Sequence, residues 1–207
     1  MIAIVDYGSG NIQAIKNIYD KLKIKSCFAK VPEDLEGVTK IILPGVGAFD
    51  EAITQLNESG MRSILDKLVL KDNVPVLGVC VGMQIMAANS DEGVLDGLGW
   101  FDATVKLFDE NKIKNKPKLP HMGWNEINPM EANPILRNIN NEQGFYFLHS
   151  YYFECNDEAD VLIQAYYGHD FHCAINKGHI YGFQFHPEKS HSNGINLFKN
   201  FAELEVC

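Results

Sequence analysis

Hydrophobic positions in the first ninety residues alternate between two patterns. Short, mostly apolar runs at residues 2–6, 24–29, 40–43 and 74–79 have the length of strands buried on both faces. Between them the period lengthens to that of a helix. Ile12, Ile15, Ile18, Tyr19 and Leu22 recur at helical spacing, as do Phe49, Ala52, Ile53 and Leu56, then Met61, Ile64, Leu65 and Leu68. A further helix is predicted over 83–88. Turn residues mark two of the switches, Tyr7-Gly8-Ser9-Gly10 and Pro44-Gly45-Val46-Gly47. Strand and helix in alternation predict an α/β protein with an open, largely parallel sheet and helices on both faces.

The second half reads differently. Residues 100–105 alternate loosely, and the lysine-rich run 109–118 reads as a solvated loop or hairpin tip. Strands are predicted over 145–148, 161–167, 171–175 and 180–185, with Asn176-Lys177-Gly178 as the turn between the last two. The sheet should therefore have an antiparallel portion late in the chain. The Tyr151-Tyr152 and Tyr166-Tyr167 pairs read as packing. Ser190 or Ser192 can cap a closing helix with Ile195, Phe198, Phe201 and Ala202 on its apolar face. No internal repeat and no Gly/Ser/Pro-rich linker interrupts the chain, so one domain is expected over 1–207.

Composition narrows the partners. The 207 residues are 46% hydrophobic and 22% charged, a folded globular balance, and 18 Lys+Arg against 27 Asp+Glu leave a net charge of −9. Such a chain offers no basic surface to nucleic acid or to an anionic membrane, and neither is expected as a partner. Nothing between Asp72 and Asp91 is charged, but Pro75, Gly78, Gly82, Gln84, Asn89 and Ser90 interrupt the stretch, which reads as strand and helix rather than a membrane span. Cys27, Cys80, Cys155, Cys173 and Cys207 are odd in number and lack a C-x-x-C pair, poor material for disulfides or zinc. The start has no basic, cleavable leader pattern, so a cytoplasmic protein is expected.

Three segments carry chemistry. Residues 74–84 run from a buried strand into Gly78-Val79-Cys80-Val81-Gly82 and then a helix, the setting of a nucleophile elbow in which Cys80 is the nucleophile. The pentapeptide alone fits a buried core cysteine equally well. His186-Pro187-Glu188 ends the last predicted strand. There His186 can serve Cys80 as base while Glu188, two residues on along an extended segment, orients the ring. The glycines at 44–47 can aim amide N–H groups at a developing oxyanion, together with that of Val81. Two other signals are discounted. Gln13 stands where a dinucleotide fingerprint needs its third glycine, and His169-Asp170-Phe171-His172-Cys173 falls at a hairpin with no second cluster, so it reads as solvated turn residues. Spacing and composition reach a cysteine-dependent acyl-transfer enzyme.

The stretches Gly78-Val79-Cys80-Val81-Gly82-Met83-Gln84 and Gly182-Phe183-Gln184-Phe185-His186-Pro187-Glu188 resemble those of the triad-type glutamine amidotransferases. Asp6-Tyr7-Gly8-Ser9-Gly10-Asn11, residues 44–49, Pro120-His121-Met122-Gly123-Trp124-Asn125, His149-Ser150-Tyr151-Tyr152 and His186-Pro187-Glu188-Lys189-Ser190 are similar to the branch of glutaminase subunits that serve imidazole glycerol phosphate synthases. The resemblance implies Cys80, His186 and Glu188 as catalytic residues. It implies Gly45, Val46, Gly47, Val81, Gln84, His149, Ser150 and Tyr151 around glutamine, and no cofactor or metal. It also implies a (β/α)₈-barrel cyclase partner, met by Asn11, His121, Met122, Trp124 and Lys189, that takes up the ammonia. Residues 189–194 look somewhat like a paralogous branch feeding amidino-sugar synthesis. A regulatory protein on a retired glutaminase scaffold would not need all three triad residues, and a stand-alone cysteine peptidase would not need Gln84 or residues 121–124.

Overall fold

The computed structural model describes residues 1–114 and 116–205; Asn115 within the lysine-rich run and Cys207 lie outside the described residues. The first half builds β1 (Ile2–Val5), α1 (Ile12–Lys21), β2 (Ser26–Ala29), β3 (Lys40–Gly45), α2 (Phe49–Glu58), α3 (Arg62–Leu70), β4 (Val76–Cys80) and the single turn α4 (Val81–Gln84). The second builds β5 (Asn89–Ser90), β6 (Ala103–Leu107), β7 (His121–Asn125), β8 (Asn128–Pro129), β9 (Phe145–His149) and β10 (Tyr151–Cys155). It closes with β11 (Val161–Tyr166), β12 (Asp170–Lys177), β13 (Ile180–Phe183) and α5 (His191–Glu203).

The main sheet runs β2-β1-β3-β4-β13-β12-β10-β6-β5, with β11 and β8 branching from β12. From β2 to β13 neighbours are parallel, and from β13 to β6 they are antiparallel. The connection through α1 moves toward one sheet edge and that through α2 and α3 toward the other. Right-handed crossovers therefore put them on opposite faces. α5 returns to the α1 side, where Phe198 packs edge-on to Tyr19 at 5.6 Å. β7 and β9 form a separate antiparallel ribbon.

Several expectations need correcting. The helix predicted over 83–88 is one turn at Val81–Gln84. The carbonyls of residues 85–88 are taken by amides of the loop 97–101, among them Leu98 to Ile85 (2.7 Å) and Trp100 to Met86 (3.0 Å), so no further turn can form. Ser190 stands at the cap position of α5, but its hydroxyl serves other backbone groups instead. α5 buries Leu197, Phe198 and Phe201, not Ile195, which is exposed. Its inward Asn193 and Asn200 are there to donate to carbonyls of residues 135–144. β13 stops at Phe183, and β7 and β10 are strands that hydrophobic patterning did not flag. Within the lysine-rich run Ile113 is buried. His169 and His172 are half-buried against Phe108 and Glu158 rather than solvated, and Tyr166 is exposed. Among the described residues no group of three or more His, Cys, Asp or Glu could hold a metal ion, and no helix is long and apolar enough to cross a membrane.

Candidate active site

The reactive groups gather where β3, β4 and β13 end. β4 is buried throughout and finishes at Cys80, which adopts φ 55° and ψ −116°. A residue with a Cβ is strained at positive φ, so surrounding packing must hold this turn in place. That packing is visible at Gly82, where a Cβ would land on the carbonyl oxygen of Leu43. The first turn of α4 is thus pressed against β3, and Cys80 is buried with it. Val81 opens the helix, so its amide has no acceptor there.

β13 lies beside β4 in parallel, Phe183 opposite Val79, so the chain leaving β13 passes Cys80. The His186 amide donates to the Tyr146 carbonyl on β9 (2.9 Å). Ser190 Oγ donates to the His186 carbonyl (2.6 Å) and accepts from the Tyr146 amide (3.0 Å). The expected extended course of 186–188 is replaced by a 3₁₀ turn at Pro187–Lys189, started by a proline whose fixed φ suits a first helical position. That turn swings the Glu188 carboxylate back, and His186 Nδ1 donates to Glu188 Oε1 at 2.9 Å. The imidazole also hydrogen-bonds the Cys80 thiol. Burial pulls the imidazole pKa down, but the hydrogen bonds to Cys80 and Glu188, with the charges of both groups, outweigh it and push His186 up to about 10. At neutral pH the ring therefore carries a proton it can give to a leaving amine.

A cavity of about 310 Å³ opens over Cys80, the lower end of the range for small-molecule sites and a fit for an amino acid. Of the predicted substrate residues, Val46, Gly47, Val81, Gln84, His149, Ser150 and Tyr151 line it. Gly45 is not in the lining. It is buried in β3, where a Cβ would strike the Gly82 amide. Gln84 is buried, donating to the Tyr151 carbonyl (3.2 Å) and to Gln184 Oε1 (3.0 Å), and Gln184 Nε2 reaches Cys80 Sγ at 3.9 Å. Sequence reasoning gave Gln184 no role, although an amide between Phe183 and Phe185 in an otherwise apolar run was the available signal, and the structure buries it fully. It also missed Glu92, a carboxylate in the lining whose Oε2 accepts from the Phe49 amide at 2.9 Å. Its loop has no periodicity that would mark it. A larger cavity, about 690 Å³, lies at the opposite strand ends beside Pro75 and His179, with no cysteine among the described residues that line it.

The strand end at 44–47 is not aimed wholly at the cavity. The Val46 amide donates to Ser9 Oγ at 2.9 Å, and Ser9 Oγ donates back to the Val46 carbonyl at 2.8 Å. Tyr7 holds the Pro44 carbonyl at 2.7 Å. Of the predicted docking residues, Asn11 and Lys189 are exposed, as are Met122 and Trp124. The Trp124 ring stacks on His191 at 5.3 Å and remains 44% exposed, so it is not the core residue a lone tryptophan could have been. His121 is not on the surface. It points inward from β7 and is sandwiched between Tyr167 and Phe147.

Residues 3–204 match the family model for glutamine amidotransferase class-I. A protein of Bdellovibrio bacteriovorus named imidazole glycerol phosphate synthase subunit HisH is 53% identical, over 99% of this chain and 100% of that protein. One of the same name from Leptospira borgpetersenii is 48% identical, again over 99% and 100%. The structure of PurLQS from Thermotoga maritima shares the fold, with a TM-score of 0.72 at 14% identity over 97% of this chain and 96% of that one.

Proposed function

The chain belongs to the class-I glutamine amidotransferases, in the branch of imidazole glycerol phosphate synthase HisH subunits, and from that premise we propose that Cys80 hydrolyses glutamine and that the ammonia passes to a cyclase subunit. The Cys80 sulfur, its proton already on His186, attacks the side-chain amide carbon of glutamine, and the oxygen takes the negative charge facing the Val81 amide. His186, oriented by Glu188, gives its proton to the amide nitrogen, the carbon–nitrogen bond breaks and ammonia leaves a γ-glutamyl thioester on Cys80. Water then loses a proton to His186 as it attacks the thioester, releasing glutamate and the thiol. Glu92 and Lys189 at the cavity rim have the charges to meet the ammonium and carboxylate of a free amino acid.

The observation that carries this reading is the buried cysteine at positive φ, hydrogen-bonded to a histidine that is itself paired with a buried carboxylate. Ammonia in water is mostly protonated and not nucleophilic, so release into a covering partner fits the chemistry. The partner is a (β/α)₈-barrel cyclase seated on the rim around Asn11, Met122, Trp124 and Lys189. It makes imidazole glycerol phosphate and an aminoimidazole carboxamide ribotide in histidine biosynthesis, in the cytoplasm. One glutaminase domain accounts for the whole chain. The shared name of the relatives favours this branch over amidino-sugar synthesis.

An electrophilic glutamine analogue tests it. Labelling is expected at Cys80 alone, because burial raises the thiols of Cys27, Cys155 and Cys173, Cys155 to about 12. Labelling spread over the cysteines, or full glutaminase activity in Cys80→Ala, would overturn the assignment.

A further inference from the structure

Beneath the exposed face of the β7–β9 ribbon two histidines meet. Side chains of β7 alternate, Met122 and Trp124 outward and His121 inward at 4% exposure. The register sets His121 opposite His149, the last residue of β9 and part of the glutamine cavity. Tyr167 and Phe147 hold the His121 ring between them, with centroids at 4.0 and 4.8 Å.

Donor and acceptor can be assigned to every nitrogen. His149 Nδ1 lies 2.7 Å from the Tyr151 carbonyl oxygen, which only accepts, so that nitrogen carries a proton. Burial lowers both rings, His121 to about 4 and His149 to about 3, and both are neutral at neutral pH. His149 Nε2 is then bare, and His121 Nδ1 at 3.0 Å donates to it. His121 Nε2 accepts in turn from Asn125 Nδ2 at 3.3 Å, and Asn125 Nδ2 also donates to the Tyr166 carbonyl at 2.9 Å. The chain of hydrogen bonds runs one way, from Asn125 through His121 and His149 to Tyr151. It starts on the strand that presents Met122 and Trp124 and ends on the cavity wall.

We propose that His121 is a positioning residue that fixes the Nδ1–H tautomer and ring orientation of His149, and so ties the shape of the glutamine pocket to the strand that bears the docking face. His121 lies outside the glutamine cavity, so its influence reaches the substrate only through His149. The inference rests on the glutaminase reading of that cavity.

Two substitutions separate donor from packing. His121→Phe keeps an aromatic ring in the sandwich and removes the donor; His121→Gln restores an N–H donor and an acceptor. Glutamine KM and kcat are measured in the complex with the cyclase, and imidazole nitrogen NMR is recorded on the full chain. Wild type is expected to show both rings as Nδ1–H tautomers, with scalar coupling between His121 Nδ1 and His149 Nε2 across the hydrogen bond. His121→Phe is expected to raise KM about tenfold with kcat within about threefold, the scale of one buried acceptor left unpaired, and His121→Gln to recover most of that loss. An unchanged KM in His121→Phe, equal losses in both variants, or an Nε2–H His149 in wild type overturns the proposal. The wild-type tautomers decide the matter even where a variant fails to fold. Wild type with the expected coupling but no glutaminase activity would overturn the function assigned to the cavity instead.

Discussion

The elbow at residues 78–82 and the strand end at 44–47 lie side by side, joined by the pairing of Gly45 with Cys80, and both are rich in glycine. Their glycines do opposite things. Gly82 lets backbone meet backbone, so β3, Cys80 and α4 are wedged into one unit that has no room to adjust. Gly47, at φ +93°, is exposed, and a Cβ on it would meet only Glu51 Oε2 at 3.3 Å. Beside it Val46 is 46% exposed and its peptide is tethered by a single hydroxyl, that of Ser9. On the proposed glutaminase reading, a site assembled from these two halves pairs a fixed nucleophile with an adjustable oxyanion donor. That division suits an enzyme whose product is wasted unless a partner is in place to receive it.

The largest effects come from breaking the fixed half. Cys80→Ala should lower glutaminase turnover in the complex by about 10⁴–10⁶-fold, with His186→Ala comparable and Glu188→Ala smaller, because triad members act as a unit. A loss under about tenfold for Cys80→Ala would move the nucleophile elsewhere. The two glycines then separate the halves directly. Gly82→Ala forces a methyl group into the Leu43 carbonyl and should cost about 3 kcal/mol or more of folding stability in denaturant titration. Gly47→Ala meets no backbone and should cost only the strain of its positive φ, about 1 kcal/mol. Equal losses would mean that the strand end is as tightly held as the elbow.

The same contrast explains what the sequence made legible. β1, β3, β4, the first three helices and the Gly-x-Cys-x-Gly turn carry their own local signals: continuous apolar runs, helical periodicity, glycines at a close approach. β7 was opaque because its binary pattern is inverted. It buries a histidine and exposes Met122 and Trp124, which local patterning reads as noise until the outer face is taken as a surface for a partner. The early end of α4 depends on amides 9 to 15 residues away claiming its next carbonyls, as Leu98 does with Ile85. Ser9 reaching Val46, and Glu92 reaching Phe49, are likewise contacts between distant segments that no local period encodes.

A smaller effect bears on what acts upon the adjustable half. Trp124 leans on His191 but stays 44% exposed, so its ring is available to a partner and little of the fold depends on it. Trp124→Ala should weaken cyclase binding by about 2 kcal/mol, roughly thirtyfold in Kd by titration, and remove partner-stimulated turnover at wild-type partner concentration. The free chain should keep its Tm. A destabilised chain that binds the cyclase normally would show that the ribbon's outer face belongs to the fold and not to the interface.

The smallest effect tests the tether itself. Ser9 is 6% exposed, and its hydroxyl both accepts from the Val46 amide and donates to the Val46 carbonyl, at 2.9 and 2.8 Å. Sheltered from water, the pair should hold the resting peptide by about 1.5 kcal/mol. While it holds, the Val46 amide cannot turn to an oxyanion in the cavity, and Val81 is left to serve alone. An absent donor of this kind raises the barrier by about 2.7–4 kcal/mol. Ser9→Ala removes the tether at a residue that is not itself part of the cavity lining. The population with a free Val46 amide should grow about tenfold, and basal turnover of the isolated chain with it, at unchanged glutamine KM. Turnover in the complex should stay where it was, since on the proposed reading the bound partner turns the strand. Unchanged basal turnover would release Ser9 from this role. A fall would mean that the hydroxyl shapes the active form of the strand rather than the resting one.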